Sequence, residues 1–316
     1  MTARIFLAPY TYSFPVIPGR KFVRLHFYPS NFTNTILVAS DSFFSISVGS
    51  HTVLNNFSAL LTTQAMNYIY MSKEFSINIS SRILNLTFTP SPNAFAFVNG
   101  IEIVSMPQIF GGSDPFNQPK IVGTTNTLTI DEHTAIETVA RLNVGGQTVS
   151  ATDDSGLYRE WDDDSIYIYG AAVGVTYPKD PNVTIDYPTT IPEYIAPPSI
   201  YSTARSMGPN ASVSLNYNLT WIITVDPGFS YLVRLHFCEI AYPITKTNMR
   251  VFDVFINNMT AIQGLDVIAY TNQVGLGASL HLDFIVSFPN TSASQQDLWV
   301  ALHPDISSKP VYFNPF

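Results

Sequence analysis

The sequence predicts an all-β protein built as two tandem β-sandwich modules of the jelly-roll type. Three observations carry that reading. Short segments of alternating apolar and polar residues recur along the whole chain, punctuated by Pro, Gly, Asn and Asp. No stretch with helical periodicity exceeds about two turns. One strand-like run also occurs twice: Lys21-Phe-Val-Arg-Leu-His-Phe-Tyr-Pro29 returns as Tyr231-Leu-Val-Arg-Leu-His-Phe-Cys-Glu239, an offset of 231 − 21 = 210.

The individual elements follow from the alternation. In Phe22 to Phe27, Val23, Leu25 and Phe27 share one face, with Arg24 and His26 on the other. Further strands are predicted at 43–48, 75–79, 83–88, 166–169, 219–225, 231–237, 251–256 and 282–288. Pro18-Gly19, Pro227-Gly228 and Asn99-Gly100 mark turns between them. The repeat extends beyond its best-matched run. Phe44 to Val48 corresponds to Phe252 to Ile256, Leu84 to Pro90 to Leu298 to Pro304, and Thr2-Ala3-Arg4 to Thr203-Ala204-Arg205. The order is kept while the offsets drift by loop-sized amounts. Residues 1–107 form the first module, 108–138 a linker rich in Gly, Pro, Ser and Asn, and 139–316 the second module. About sixty residues precede Thr203 within the second copy, whereas Met1 alone precedes Thr2. The expectation is therefore a first module without its opening strands. The second copy likewise stops before an equivalent of the alternating run Ala94 to Val104, so it is expected to lack its last strand.

Composition narrows the function. The 316 residues are 46% hydrophobic but only 12% charged, against roughly 25% in a typical soluble domain. A net charge of −8 without any basic stripe argues against nucleic acid and favours a basic partner. The single cysteine, Cys238, excludes an internal disulfide and reads as a small buried hydrophobe. Sequons for N-glycosylation stand at Asn31, Asn56, Asn78, Asn85, Asn182, Asn210, Asn218, Asn258 and Asn290, which favours an extracellular setting. Neither a signal-peptide core nor an apolar run of about twenty residues is found in the sequence.

Several longer matches identify a family. Pro18-Gly-Arg-Lys-Phe-Val-Arg-Leu-His-Phe-Tyr-Pro29, Leu54-Asn-Asn-Phe-Ser58 and Phe97-Val-Asn-Gly-Ile-Glu-Ile103 resemble the first malectin-like domain of the FERONIA-type receptor kinases of plants. Arg141-Leu-Asn-Val-Gly-Gly146, Gly156-Leu-Tyr-Arg159, Tyr201-Ser-Thr-Ala-Arg-Ser-Met-Gly-Pro209, Leu219-Thr-Trp221 and Gln296-Asp-Leu-Trp299 resemble the second. The resemblance implies the extracellular, ligand-binding part of a plasma-membrane receptor. It would sense secreted basic peptides of the RALF type with a small GPI-anchored co-receptor, in cell-wall, growth and fertilisation signalling. It implies no cofactor, and the family's kinase does not match these residues. Two alternatives stay open: a module for cell-wall carbohydrate (pectin or oligoglucose), and a truncated product without a function.

Candidate sites are weighed on this footing. Asp153-Asp154 and Asp162-Asp163-Asp164 flank Tyr158 and Trp161 and could in principle hold calcium or act as a glycosidase pair. A solvated acidic turn is the favoured reading, because neither a calcium-loop spacing nor a catalytic motif accompanies them. His26 and His236 occupy equivalent strand positions and read as a repeated structural histidine; no histidines stand at metal-ligand spacing. Tyr158, Trp161, Tyr167 and Tyr169 could line a sugar cleft. The favoured binding site is a loop surface of the second module: Tyr169 and Gly170, then Arg205, Ser206 and Gly208, then Asn216. Against it stands the match of Arg205 with Arg4, which suits a shared structural role.

Overall fold

A computed structural model describes residues 2–32, 37–110, 118–170, 174–208, 214–272 and 274–305. The chain divides into two units, Met1–Ile109 with Ile130–Thr138, and Phe110–Thr129 with Val139–Phe316.

The first unit holds β1 (Arg4–Phe6), β2 (Tyr10–Pro15), β3 (Gly19–Phe27), β4 (Phe44–Val48), β5 (His51–Phe57), β6 (Met71–Ile79), β7 (Ile83–Pro90), β8 (Ala96–Val98) and β9 (Gly100–Ser105). Two four-stranded sheets result, ordered β2-β7-β4-β5 and β11-β6-β3-β9, with β11 (Ile136–Glu137) supplied by the stretch after the second unit's first strand. Their inner faces meet in one core. Val23, Leu25 and Phe27 of β3 and Phe75, Ile77 and Ile79 of β6 pack with Ile46 and Val48 of β4 and Leu84, Leu86 and Phe88 of β7. The period of two in the sequence thus becomes the inside and outside of a sandwich. The charged face of β3 is covered as well: Arg24 is buried against Glu74 and also meets Glu102, while His26 bonds Glu102 at 2.8 Å.

The second unit repeats the plan. It contains β10 (Lys120–Ile121), β12 (Leu142–Asn143), β13 (Asp162–Asp163), β14 (Val175–Tyr177), β15 (Ala204–Ser206), β16 (Leu219–Val225), β17 (Ser230–Cys238), β18 (Phe252–Ile256), β19 (Met259–Leu265), β20 (Ser279–Ser287) and β21 (Gln296–Pro304). The sheet β16-β21-β18-β19 faces the sheet β10-β20-β17 across a core that includes Trp221, Phe237, Phe252, Val254, Phe284 and Leu302. Each unit also has a short helix after its fifth-strand equivalent, Ala59–Ala65 and Val267–Tyr270. These are capped by Ser58 and Asp266 respectively, each accepting a backbone N–H of the first turn.

The structure corrects the sequence reading at two places. Residues 166–169 form a turn with a single bridge, Ile168 to Trp221, rather than a strand. Tyr167 N–H closes that turn on Asp164 O at 3.1 Å, because Asp164 is held elsewhere by its side chain. Within the stretch expected as linker, Lys120–Ile121 (β10) pairs in parallel with β20, and Ile136–Glu137 (β11) pairs antiparallel with β6.

Candidate functional site

Arg205 lies on β15, antiparallel to β14, with Thr176 opposite it. Its guanidinium turns inward. Nε donates to Asp164 Oδ2 at 2.8 Å and Nη2 donates to Asp164 Oδ1 at 2.6 Å, a two-pronged, charge-assisted pair. The same carboxylate accepts Trp221 Nε1–H at 2.8 Å and Gly145 N–H at 3.1 Å. Burial alone would raise the Asp164 pKa. The bonds from Arg205, Trp221 and Gly145 outweigh burial and hold the carboxyl below the usual carboxylate value. Ser206 is fully buried, its Oγ accepting Gly208 N–H at 3.2 Å.

Tyr169, Gly170 and Asn216 reach the surface, whereas Gly208 is buried. Tyr169 donates its N–H to Thr220 O at 2.9 Å and packs its exposed ring against Trp299, with ring centres 4.9 Å apart. Gly170 is exposed at φ +71°, and a Cβ there would meet nothing within 4 Å. Gly208 has φ +88°, which favours glycine. Asn216 is exposed on the approach to β16. Its segment is tied to the end of β15, since Ser214 Oγ–H and Tyr217 O–H both donate to Met207 O, at 3.5 and 2.9 Å. The loops of Gly208 and Asn216 therefore share one anchor, and Gly174 at the start of β14 sits against Ser206 O. Three apolar side chains that sequence reasoning missed stand exposed on these same segments: Ile166, Val175 and Leu215. Only solvent exposure distinguishes them from core residues, so alternation gave no signal. The arrangement offers loop backbone and apolar surface for recognition, with Arg205 and Ser206 as the frame beneath.

The acidic run is not a solvated turn throughout. Asp154 is buried beneath Arg159, which donates Nε–H to Oδ2 at 2.8 Å and Nη2–H to Oδ1 at 2.9 Å. Asp154 and Asp164 are thus counter-ions of two buried arginines, Arg159 and Arg205. Asp162 stays exposed, and Asp163 is half-buried and accepts Ser165 N–H at 3.0 Å. Among the described residues no three His, Cys, Asp or Glu side chains converge to hold a metal. Trp161 is buried and its Nε1–H reaches Asp154, so Tyr158, Trp161, Tyr167 and Tyr169 do not form an open stacking platform. Cys238 is buried, and its thiol is pushed up to about 12 by burial. Of the sequon asparagines, Asn31, Asn56, Asn85, Asn182, Asn218, Asn258 and Asn290 are exposed. Asn78 is half-buried with its Nδ2 donating to Glu132, and Asn210 lies outside the described residues.

Residues 1–308 match the Malectin-like domain family. The chain is 52% identical over 317 aligned residues to the receptor-like protein kinase FERONIA of Arabidopsis thaliana, covering 99% of this chain and 35% of that protein. The chain thus spans about a third of that relative's length, and the malectin-like match leaves no room for a kinase among these residues. A crystal structure of the plant peptide RALF23 in complex with FER and LLG2 contains a chain 52% identical to this one. It superposes with a TM-score of 0.91 over 100% of this chain and 80% of its own. The extracellular domain of ANXUR2 from Arabidopsis thaliana superposes with a TM-score of 0.91 at 38% identity, covering 100% of this chain and 81% of that one.

Proposed function

The chain belongs to the Malectin-like domain family, and on that premise we propose that it is the ligand-binding region of a receptor-kinase ectodomain. It works at the outer face of the plasma membrane and senses a secreted basic peptide of the RALF type together with a GPI-anchored co-receptor. One observation carries the reading: a relative that superposes over the whole of this chain at 52% identity was crystallised with RALF23 and LLG2. The net charge of −8 suits a basic ligand, steering encounter at low salt. The surface assigned to the partners comprises Tyr169, Gly170 and Asn216, extended by Ile166, Val175 and Leu215, with Gly208 buried below it. Arg205 and Ser206 act beneath it by holding β15 in place. No observation favours the carbohydrate reading, since the aromatic set that would stack on sugars contains a buried tryptophan.

The test is calorimetric titration of the folded chain with a basic RALF-type peptide, with and without the co-receptor. Saturable binding that tightens with the co-receptor is expected, weakened about tenfold or more by Ile166→Asp on the proposed surface. Silence at micromolar peptide in both arms, from a sample that melts cooperatively, overturns the reading.

A further inference from the structure

The internal repeat places one irregularity at the same point of both units. The pairing of β4 with β5 slips between Phe44–Phe57 and Ile46–Leu54, and that of β18 with β19 slips between Phe252–Leu265 and Val254–Ile262. Each slip is a bulge on the outermost strand of its sheet. In the second unit the bulge holds Gly264 at φ +64°, its N–H donating to Asp253 Oδ1 at 2.7 Å. In the first unit it holds Asn56 at φ +47°, its N–H donating to Ser45 Oγ at 3.1 Å. Left-handed backbone suits glycine first and asparagine next. Asparagine differs by carrying an amide outward, and Asn56-Phe57-Ser58 is a glycosylation sequon.

Asn56 is exposed and its amide is set for attachment. Oδ1 accepts Ser91 Oγ–H at 2.9 Å, while Nδ2, the atom that an N-linked glycan bonds, donates to nothing among the described residues. Asn78 and Asn182 instead engage Nδ2 with Glu132 and Asp180. Beside Asn56 opens a groove of about 470 Å³, lined by Asp41, Phe43, Ser91 and Asn93 among others. Half-buried Phe43 suits the apolar face of a pyranose, and the Asp41 carboxylate, Ser91 hydroxyl and Asn93 amide suit its N-acetyl and hydroxyl groups. A Cβ on Gly264 would meet only Asp305 Oδ2 and Val251 Cγ1 within 4 Å. The repeat aligns these two residues with Ser91 and Phe43, so the same positions border this corner in both units.

We propose that Asn56 carries an N-linked glycan whose first N-acetylglucosamine lies in this groove. The donor is an oligosaccharide on a polyisoprenyl pyrophosphate. Asn56 Nδ2 bonds the anomeric carbon of its first sugar and gives up one proton to a base of the transferase. The bond from that carbon to the pyrophosphate oxygen breaks, and the lipid pyrophosphate leaves with the electron pair. This site asks only that the chain be exported and does not depend on the peptide-binding reading above.

The test secretes the full 316-residue chain from cultured animal cells behind a removable signal peptide and maps its glycopeptides by mass spectrometry. Asn56 should be occupied. Peptide N-glycosidase cuts at the first sugar and converts the asparagine to aspartate, so release can be timed site by site. From the folded protein the Asn56 glycan should leave about tenfold more slowly than those on exposed Asn258 and Asn290, and the rates should converge in denaturant. Asp41→Ala and Asn93→Gly each remove one groove partner, and glycine keeps the backbone of Asn93 at its φ of +59°. Each should speed release from Asn56 several-fold and leave the other sites unchanged. An unmodified Asn56 in chains occupied at other sequons overturns the proposal. Equal release rates from the folded protein, or slow release that neither variant relieves, overturn it as well.

Discussion

His236 of β17 and His281 of β20 face each other across a strand pair, with Trp161 and Tyr201 packed on His236. Tyr201 O–H bonds His236 Nδ1 at 2.9 Å, whereas His281 Nδ1 is buried without a partner among the described residues. Burial lowers both imidazoles, each also repelled by Arg234, and His281 falls to about 4. A lowered histidine destabilises as pH falls, because the unfolded ring takes a proton below about 6.5 while the folded one resists until its own pKa. Between pH 7 and 5 His281 alone should cost about 2 kcal/mol of stability. Glu239 works in the opposite direction. Its burial, against the pull of Arg250, raises the carboxyl to about 7, so its contribution is lost as pH rises from about 4.5 through 7. The difference between parent and His281→Gln isolates the histidine. The urea midpoint of the variant should fall less between pH 7 and 5, and an equal fall in both proteins would refute the assignment. The repeated histidine was legible from the offset of His26 and His236. Its divergent surroundings were not, because His26 meets exposed Glu102 and His236 meets a tyrosine brought from thirty-five positions away.

At the scale of elements, glycines decide how the loops of the second unit are held. Gly145 has φ +72°, and a Cβ there would lie 2.2 Å from Ala204 O, so the Arg141-Leu-Asn-Val-Gly-Gly146 turn presses directly on β15. Gly170 has a similar φ of +71° but open space around it. Gly170→Ala should therefore cost only the left-handed backbone penalty, about 1–2 kcal/mol. Gly145→Ala adds a clash with main chain that neither side can relieve cheaply, and it should cost more than ~3 kcal/mol. Chemical denaturation of the two variants checks the ranking, and equal losses would show that β15 yields to the turn. The turn glycines were readable as turns, yet which of them bears on another backbone was not. The same limit explains residues 166–169: the alternation of Ile166, Tyr167, Ile168 and Tyr169 reads as a strand. A buried Asp164 shared by Arg205, Trp221 and Gly145 forces the turn instead. That carboxylate comes from a run of three aspartates, whose neighbours in sequence say nothing about which one is buried.

For the whole molecule, the repeat located both sandwiches because sheet pairing preserves the spacing of its strands even when loops drift. β4 and β18, and β7 and β21, stand in the same sheet positions in the two units, and β3 pairs with β6 as β17 pairs with β20, although only β3 has a further neighbour, β9, among the described residues. What periodicity could not show is that the connecting stretch contributes a strand to each unit, since two-residue strands carry no period. Each unit has its own core, one centred on residues such as Phe88 and the other on residues such as Phe252, both fully buried on equivalent sheets. A chain built this way should unfold in two calorimetric transitions. Phe88→Ala and Phe252→Ala remove the same side chain from the two cores, each costing about 3–5 kcal/mol. Each should lower one transition and leave the other within about a degree, because the lost contacts lie inside one core. A single transition moved equally by both substitutions would mean that the cores share one cooperative unit. A broad melt without a heat-absorption peak would mean that neither core packs, and would remove the footing for any binding surface built on them.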